Sequence, residues 1–127
     1  MTFMTKEVRW YKNVWLWGFL IVLLLVLFFS KPNSGTGEYD IFASCLSEAG
    51  AVMYGTEWCP HCKEQKKLFG NSFKNINYVD CDIDSEECLI NRVDGYPTWK
   101  VNGKNYPGVQ PLTKLSLLTG CDLVKDE

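Results

Sequence analysis

The sequence predicts an α/β domain with the element order α-β-α-β-α-β-β-α, carried behind one apolar N-terminal helix. Three observations predict it. An apolar run at 51–55 leads through Thr56-Glu57-Trp58 into Cys59-Pro60-His61-Cys62 and then into strong helix formers. Asn102-Gly103, the strongest short hairpin signal, separates two strand-like runs. Ahead of both, the 16 residues from Val14 to Phe29 carry no charge. A chain of 127 residues has room for one domain and an appendage of this kind.

The appendage comes first. Counted back to Trp10, the apolar helix reaches about 20 residues, roughly 30 Å at 1.5 Å per residue, enough to span a bilayer. Trp10, Tyr11, Trp15 and Trp17 sit where an interfacial aromatic belt would lie. We therefore expect a cytoplasmic N-terminus at 1–13, a transmembrane signal anchor at 14–30, a linker at 31–37 and a folded domain at 38–127. Lys6, Arg9 and Lys12 precede the span and only Lys31 closely follows it, which places the domain outside the cytoplasm. A cleaved signal peptide is the competing reading. The run is at or beyond the ~7–15 residues of such a segment, and Ser30-Lys31-Pro32 is a poor cleavage site; Ser34-Gly35-Thr36 leaves cleavage open.

Within the domain, 38–49 reads as a helix with Ile41, Phe42, Cys45 and Leu46 on one face. Residues 51–55 form a buried strand, 60–69 a helix and 75–80 the next strand. Residues 85–93 form a short helix, with Ser85 as N-cap and Glu86 and Glu87 at its positive end. The hairpin pairs 98–101 with 104–108, and 111–119 closes the domain with Leu112, Leu115 and Leu118 on one face and Gly120 as the stop.

Formal net charge is −2, unevenly spread: beyond residue 35 nine Lys and Arg face fourteen acids, so −5. That argues against nucleic acid, which needs a basic footprint. Six cysteines in a small domain fit an oxidising compartment, in agreement with the orientation read from the flanking charges.

The chemistry centres on Cys59 and Cys62. At the start of a helix, unpaired N–H groups and the positive end of the dipole favour a thiolate, the reactive form of cysteine. Pro60 suits the first turn, where its missing N–H costs nothing. A CxxC between strand and helix points to a redox dithiol, with Cys59 the exposed attacking sulfur and Cys62 the buried resolving one. A structural disulfide and a zinc site are the alternatives. Zinc would need two more ligands, such as Cys81 and Cys88, and their six-residue spacing is not a usual knuckle, so no metal site is assigned. His61 either tunes the thiolate, with Lys63, Lys66 and Lys67 adding positive potential, or is an exposed spectator.

Together with Gly95-Tyr96-Pro97-Thr98-Trp99, the Trp58-Cys59-Pro60-His61-Cys62 turn resembles the thioredoxin superfamily, over about three quarters of the chain. The stretch from Val52 to Cys62, with Phe42-Ala43-Ser44-Cys45-Leu46, Tyr78-Val79-Asp80-Cys81 and Thr119-Gly120-Cys121, is similar to one branch in particular. That branch is the thioredoxin-like domain fused to, or partnered with, homologues of vitamin K epoxide reductase.

The resemblance implies a thioredoxin fold and a cis-proline at Pro97 facing the CxxC. The loop there would pair with a substrate peptide in a groove shaped by Trp58, Tyr96 and Thr98. Trp58 and Trp99 could equally be plain packing. The Pro-His dipeptide is DsbA-like, which implies an oxidant. Family members usually carry a buried acid six residues before the first cysteine; Met53 stands there instead, which weakens a reductase assignment. The resemblance also implies disulfides Cys81–Cys88, as a local staple or a second shuttle pair, and Cys45–Cys121, tying the domain's ends. It implies a redox-active disulfide with no directly bound cofactor and cysteine-containing protein substrates. Reoxidation would fall to a vitamin K epoxide reductase-like membrane partner that uses a quinone. A tethered reductase or isomerase, and a non-enzymatic zinc-binding or scaffold domain, are the competing functions.

Overall fold

The computed structural model describes residues 7–29 and 36–126, which fall into two compact units, Met1–Ser34 and Gly35–Glu127. The described residues of the first unit form one helix, α1 (Glu7–Phe29). Its side chains are described from 13 to 27, and every one of them is exposed, Trp15 at 74%. Among the described residues no helix is long and apolar enough to cross a membrane. The expected span at 14–30 is therefore not shown here, and its last residue, like residues 31–35 of the linker and residues 1–6 of the N-terminal segment, lies outside the described residues.

The second unit contains α2 (Asp40–Glu48), β1 (Val52–Gly55), α3 (Pro60–Phe69) and β2 (Asn77–Asp80). It continues with α4 (Ser85–Ile90), β3 (Thr98–Val101), β4 (Lys104–Pro107) and α5 (Leu112–Thr119). This is the expected order. The sheet runs β2-β1-β3-β4, with β1 parallel to β2 and β3 antiparallel to both β1 and β4. Asn102 and Gly103 both take positive φ, 51° and 77°, and so make the tight β3–β4 turn that their identities suggest.

Strand alternation divides the interior. Met53, Trp99 and Val101 share the main core with Phe42 and Leu46 of α2, Phe69 of α3 and Leu115 of α5. Tyr54 belongs to a thinner layer with Cys81 and Cys88, flanked by Val52 and Val79. Three helices thus contribute to one layer, while the other is closed by α4 and its disulfide.

Several local expectations are corrected. Helix α2 buries Phe42, Ala43 and Leu46, whereas Ile41 is 66% exposed. The Phe42–Leu46 pair sets the inward stripe, and a residue one step away is rotated about 100° from it. The N-cap of α4 is Asp84, not Ser85, and its side chain makes no capping bond. That helix stops at Ile90, before the expected 93, because Arg92 turns to φ 54° while Asn91 Nδ2 donates to Glu87 O at 2.8 Å. Between α3 and β2 the chain forms a 3₁₀ segment, Gly70–Asn75, so β2 begins at Asn77 rather than 75. Ser72 in that segment is fully buried and its Oγ accepts from Tyr39 N–H at 2.8 Å, joining it to the start of α2.

Candidate active site

Strand β1 ends at Gly55, the chain bends at 57–58, and Cys59, at φ −70° and ψ 121°, becomes the N-cap of α3. Pro60 is the first helical residue. The N–H of Cys62 donates to Cys59 Sγ at 3.4 Å, so a sulfur occupies the capping position that an oxygen usually fills. Both cysteines are free thiols. On its other side Cys59 Sγ lies 3.7 Å from the carbonyl oxygen of Tyr96, a weak S–H donor contact to the residue whose bond to Pro97 is cis.

Cys59 is 5% exposed and Cys62 is fully enclosed. The expectation of an exposed Cys59 is corrected: both sulfurs are buried, Cys59 the less completely. Trp58, itself 64% exposed, lies with its ring 6.3 Å edge-on to Tyr96, and its Nε1–H donates to Asp82 Oδ2 at 2.8 Å. The active-site turn is thereby joined to the loop held by the Cys81–Cys88 disulfide. Thr98 does not face a groove: it is 2% exposed and its hydroxyl donates to Gly95 O at 2.7 Å, which shapes the proline loop from behind. Trp99 is core, 6.0 Å from the Phe69 ring. His61 is exposed, and the partner of its Nδ1 is Glu64 at 3.5 Å rather than either sulfur.

Burial and, after it, the neighbouring Cys59 push the Cys62 thiol up to about 11, against the Thr56 N–H and Lys66, which work in the opposite sense. A thiol in that position stays protonated at neutral pH unless something nearby lowers the free energy of its anion.

Gly55 and Glu57 escaped the sequence reading, and Lys66 entered it only as one of three lysines adding positive potential. Gly55 is where β1 passes the site, and a Cβ on it would fall 2.8 Å from Cys62 Sγ. Glu57 and Lys66 form an ion pair at 2.5 Å, and the Lys66 ammonium lies 4.1 Å from the centre of the Tyr78 ring. The four-residue spacing from Cys62 to Lys66 on one helix was the available signal. Helix α3 is fixed from below by Gln65, fully buried, which donates to Gln110 O at 3.0 Å and accepts from Gln110 N–H at 2.6 Å.

The other four cysteines are paired as Cys45–Cys121 and Cys81–Cys88. A bonded Cys81–Cys88 leaves neither sulfur free to join Cys59 and Cys62 around zinc, and among the described residues no group of three or more His, Cys, Asp or Glu could hold a metal.

A β2-β1-β3-β4 sheet, a CxxC capping the helix after β1 and a cis-proline leading into β3 opposite that cap decide the fold. The domain is thioredoxin-like. No protein-family model matches the chain. It is 37% identical over 109 residues to the thiol-disulfide oxidoreductase LTO1 of Arabidopsis thaliana, covering 78% of this chain and 29% of that protein. It is 31% identical over 87 residues to a protein disulfide-isomerase of Aspergillus niger, covering 58% of this chain and 17% of that one. The chain thus spans less than a third of the length of either relative. Among solved structures, a Plasmodium falciparum thioredoxin aligns with a TM-score of 0.41 at 25% identity, covering 62% of this chain and 86% of that one. An Archaeoglobus fulgidus glutaredoxin aligns with 0.40 at 20% identity, covering 58% and 89%.

Proposed function

We propose that the thioredoxin-like domain is a membrane-anchored, extracytoplasmic thiol–disulfide oxidoreductase working as a dithiol oxidase, reoxidised by a vitamin K epoxide reductase-like membrane protein that passes electrons to a quinone. The observation that carries the redox reading is Cys59 at the N-cap, with its sulfur at the Tyr96 carbonyl beside cis-Pro97 and Cys62 enclosed behind it. Starting from the Cys59–Cys62 disulfide, a substrate thiolate attacks Cys59 Sγ, the more accessible sulfur, and Cys62 leaves as the thiolate and takes up a proton. The substrate's second thiolate then attacks the mixed disulfide, so the substrate gains an S–S bond and Cys59 leaves reduced. The Tyr96 carbonyl beside Cys59 Sγ supports binding of the substrate peptide alongside the mixed disulfide.

The oxidising direction is supported by the Cys62 N–H bond to Cys59 Sγ, which favours charge on that sulfur in the reduced protein, and by the apolar Met53 in the core. Anchoring is supported by α1, whose side chains from 14 to 27 are apolar on every side and all exposed, a surface that a lipid environment would cover. Six cysteines and the basic residues before the apolar run support an extracytoplasmic site.

The test reconstitutes the full chain in vesicles with such a partner and a quinone. The expected result is quinone-dependent reoxidation of Cys59 and Cys62, with Cys62→Ser accumulating mixed disulfides through Cys59 and Cys59→Ser accumulating none. A protein that reduces substrate disulfides but is never reoxidised by the partner would reverse the direction. Mixed disulfides forming through Cys62 in the Cys59→Ser protein would overturn the role assignment.

A further inference from the structure

We infer that Lys66 is the positioning cation for Cys62, held against it by Glu57 and Tyr78, and that it governs the step in which Cys62 exchanges with the mixed disulfide. The inference rests on the reading of Cys59–Cys62 as a redox couple. It holds for either direction of electron flow, because both directions pass through the Cys62 thiolate.

The geometry starts at Gly55. Its bare Cα lets two groups close in: a Cβ there would lie 2.8 Å from Cys62 Sγ and 3.4 Å from Tyr78 Cε2. The Cys62 sulfur and the edge of the Tyr78 ring therefore border the same small gap. Lys66 is one helical turn beyond Cys62 on α3, and its ammonium lies over the face of the same ring, 4.1 Å from its centre and 5.3 Å from that of Phe73. Glu57, in the lead-in to the helix, holds the ammonium from the other side at 2.5 Å. A long, flexible lysine is thus fixed at three points, and its side chain is only 22% exposed.

The charges around Cys62 leave few alternatives. On α3 it faces Cys59 and Lys66, with Lys63 further out toward Glu57. From β2 it faces Tyr78; burial and the charges of Glu57 and Asp80 push that phenol upward, which keeps it neutral. Strand β1 contributes Met53 and Gly55, neither charged, at the place where the resemblance leads one to expect an acid. Lys66 is the cation that favours the Cys62 anion.

In the reducing direction the Cys62 thiol loses its proton to solvent, and its thiolate attacks Cys59 Sγ of the mixed disulfide. The Cys59–Cys62 bond forms as the bond to the substrate sulfur breaks, and the substrate leaves as a thiolate that takes up a proton. The oxidising direction is the reverse, with Cys62 as the leaving thiolate. Lys66 stabilises the charge on Cys62 Sγ in both.

The experiment uses the full chain, reduced, mixed in stopped flow with one equivalent of dithiodipyridine. Attack by Cys59 releases the first thiopyridone and attack by Cys62 releases the second, so the two sulfurs are read separately. Lys66→Met should leave the first phase within about twofold and slow the second about tenfold at neutral pH, moving its pH profile up by about one unit, the effect of losing one nearby opposite charge. Lys66→Arg should restore the second phase, and Lys67→Met, which removes an equal charge from the exposed side of the same helix, should not move it. Lys66→Gln is measured beside Lys66→Met, and serves in its place if that variant does not fold. A second-phase profile unmoved in a folded Met or Gln variant, or moved equally by Lys67→Met, would overturn the role of Lys66 while leaving the redox reading intact. A wild-type protein that releases thiopyridone in one slow phase, at the rate of ordinary cysteines, would remove the redox reading itself.

Discussion

Gly55→Ala is the sharpest probe of the site's packing. The added Cβ would meet Cys62 Sγ at 2.8 Å, where non-bonded heavy atoms settle at roughly 3.5–4.0 Å, so the sulfur or the strand must move by about 0.7 Å or more. Neither moves freely, since Cys62 is fully buried on α3 and Gly55 is paired to Asp80 in β2. Overpacking of this size costs about 1–3 kcal/mol, and the lower unfolded-state entropy of alanine returns about 0.4–1 kcal/mol, leaving a net loss of about 0–2.6 kcal/mol. Urea unfolding of the reduced protein, followed by tryptophan fluorescence, measures it. The same substitution in a Cys62→Ala background removes the colliding atom, so there Gly55→Ala should be neutral or stabilising, a coupling of at least about 1 kcal/mol between the two positions. A loss that is the same with and without the Cys62 sulfur would refute the close approach.

The two structural disulfides should differ in weight. The chain-entropy relation gives about 4.5 kcal/mol for Cys45–Cys121, separated by 76 residues, and about 2.4 kcal/mol for Cys81–Cys88, separated by 7. Replacing each pair by alanine and comparing urea midpoints tests the order, and a larger loss from the Cys81–Cys88 pair would contradict it. Stability should also depend on pH in the reduced protein. Because folding raises Cys62 from 9.0 to about 11, the folded state holds this proton more tightly, so the contribution is complete below pH 9.0 and is lost as pH rises toward 11. The loss is at most about 2.7 kcal/mol at 1.36 kcal/mol per unit, and should be absent from the oxidised protein, where Cys62 carries no titrating proton. Reduced and oxidised forms that lose stability in parallel over that range would show that Cys62 is not the titrating group.

Much of the domain was legible because local rules and tertiary packing agree in it. The bounds of α3 follow from Pro60 at the first helical position and Gly70 at the C-cap, and those of the hairpin from Asn102-Gly103. Where two apolar neighbours compete for one helix face the sequence is ambiguous, and Ile41 was assigned inward when Phe42 and Leu46 take that face. The 3₁₀ segment at 70–75 has no apolar period of its own; it is held by Ser72, a polar residue whose burial only the fold reveals. In the site, Cys59 at the helix start was readable from the strand before it and Pro60 after it, its role as the cap was not, and the cis bond at Pro97 came only from the family resemblance. Residues that act through distant side-chain contacts were not readable. Thr98 turns inward to Gly95, His61 turns outward to Glu64, and Glu57 meets Lys66 across the start of the helix, none of which spacing alone determines.

The central claim is that this couple is an oxidant, and its reduction potential tests that most directly. Equilibrating the protein with glutathione buffers and quantifying the Cys59–Cys62 disulfide, with Cys45–Cys121 and Cys81–Cys88 left bonded, gives the value. The account predicts a potential clearly above that of thioredoxin, near −270 mV, because the Cys62 N–H at the helix start stabilises the reduced Cys59 sulfur. A potential at or below about −270 mV would contradict the account and make the domain a reductase.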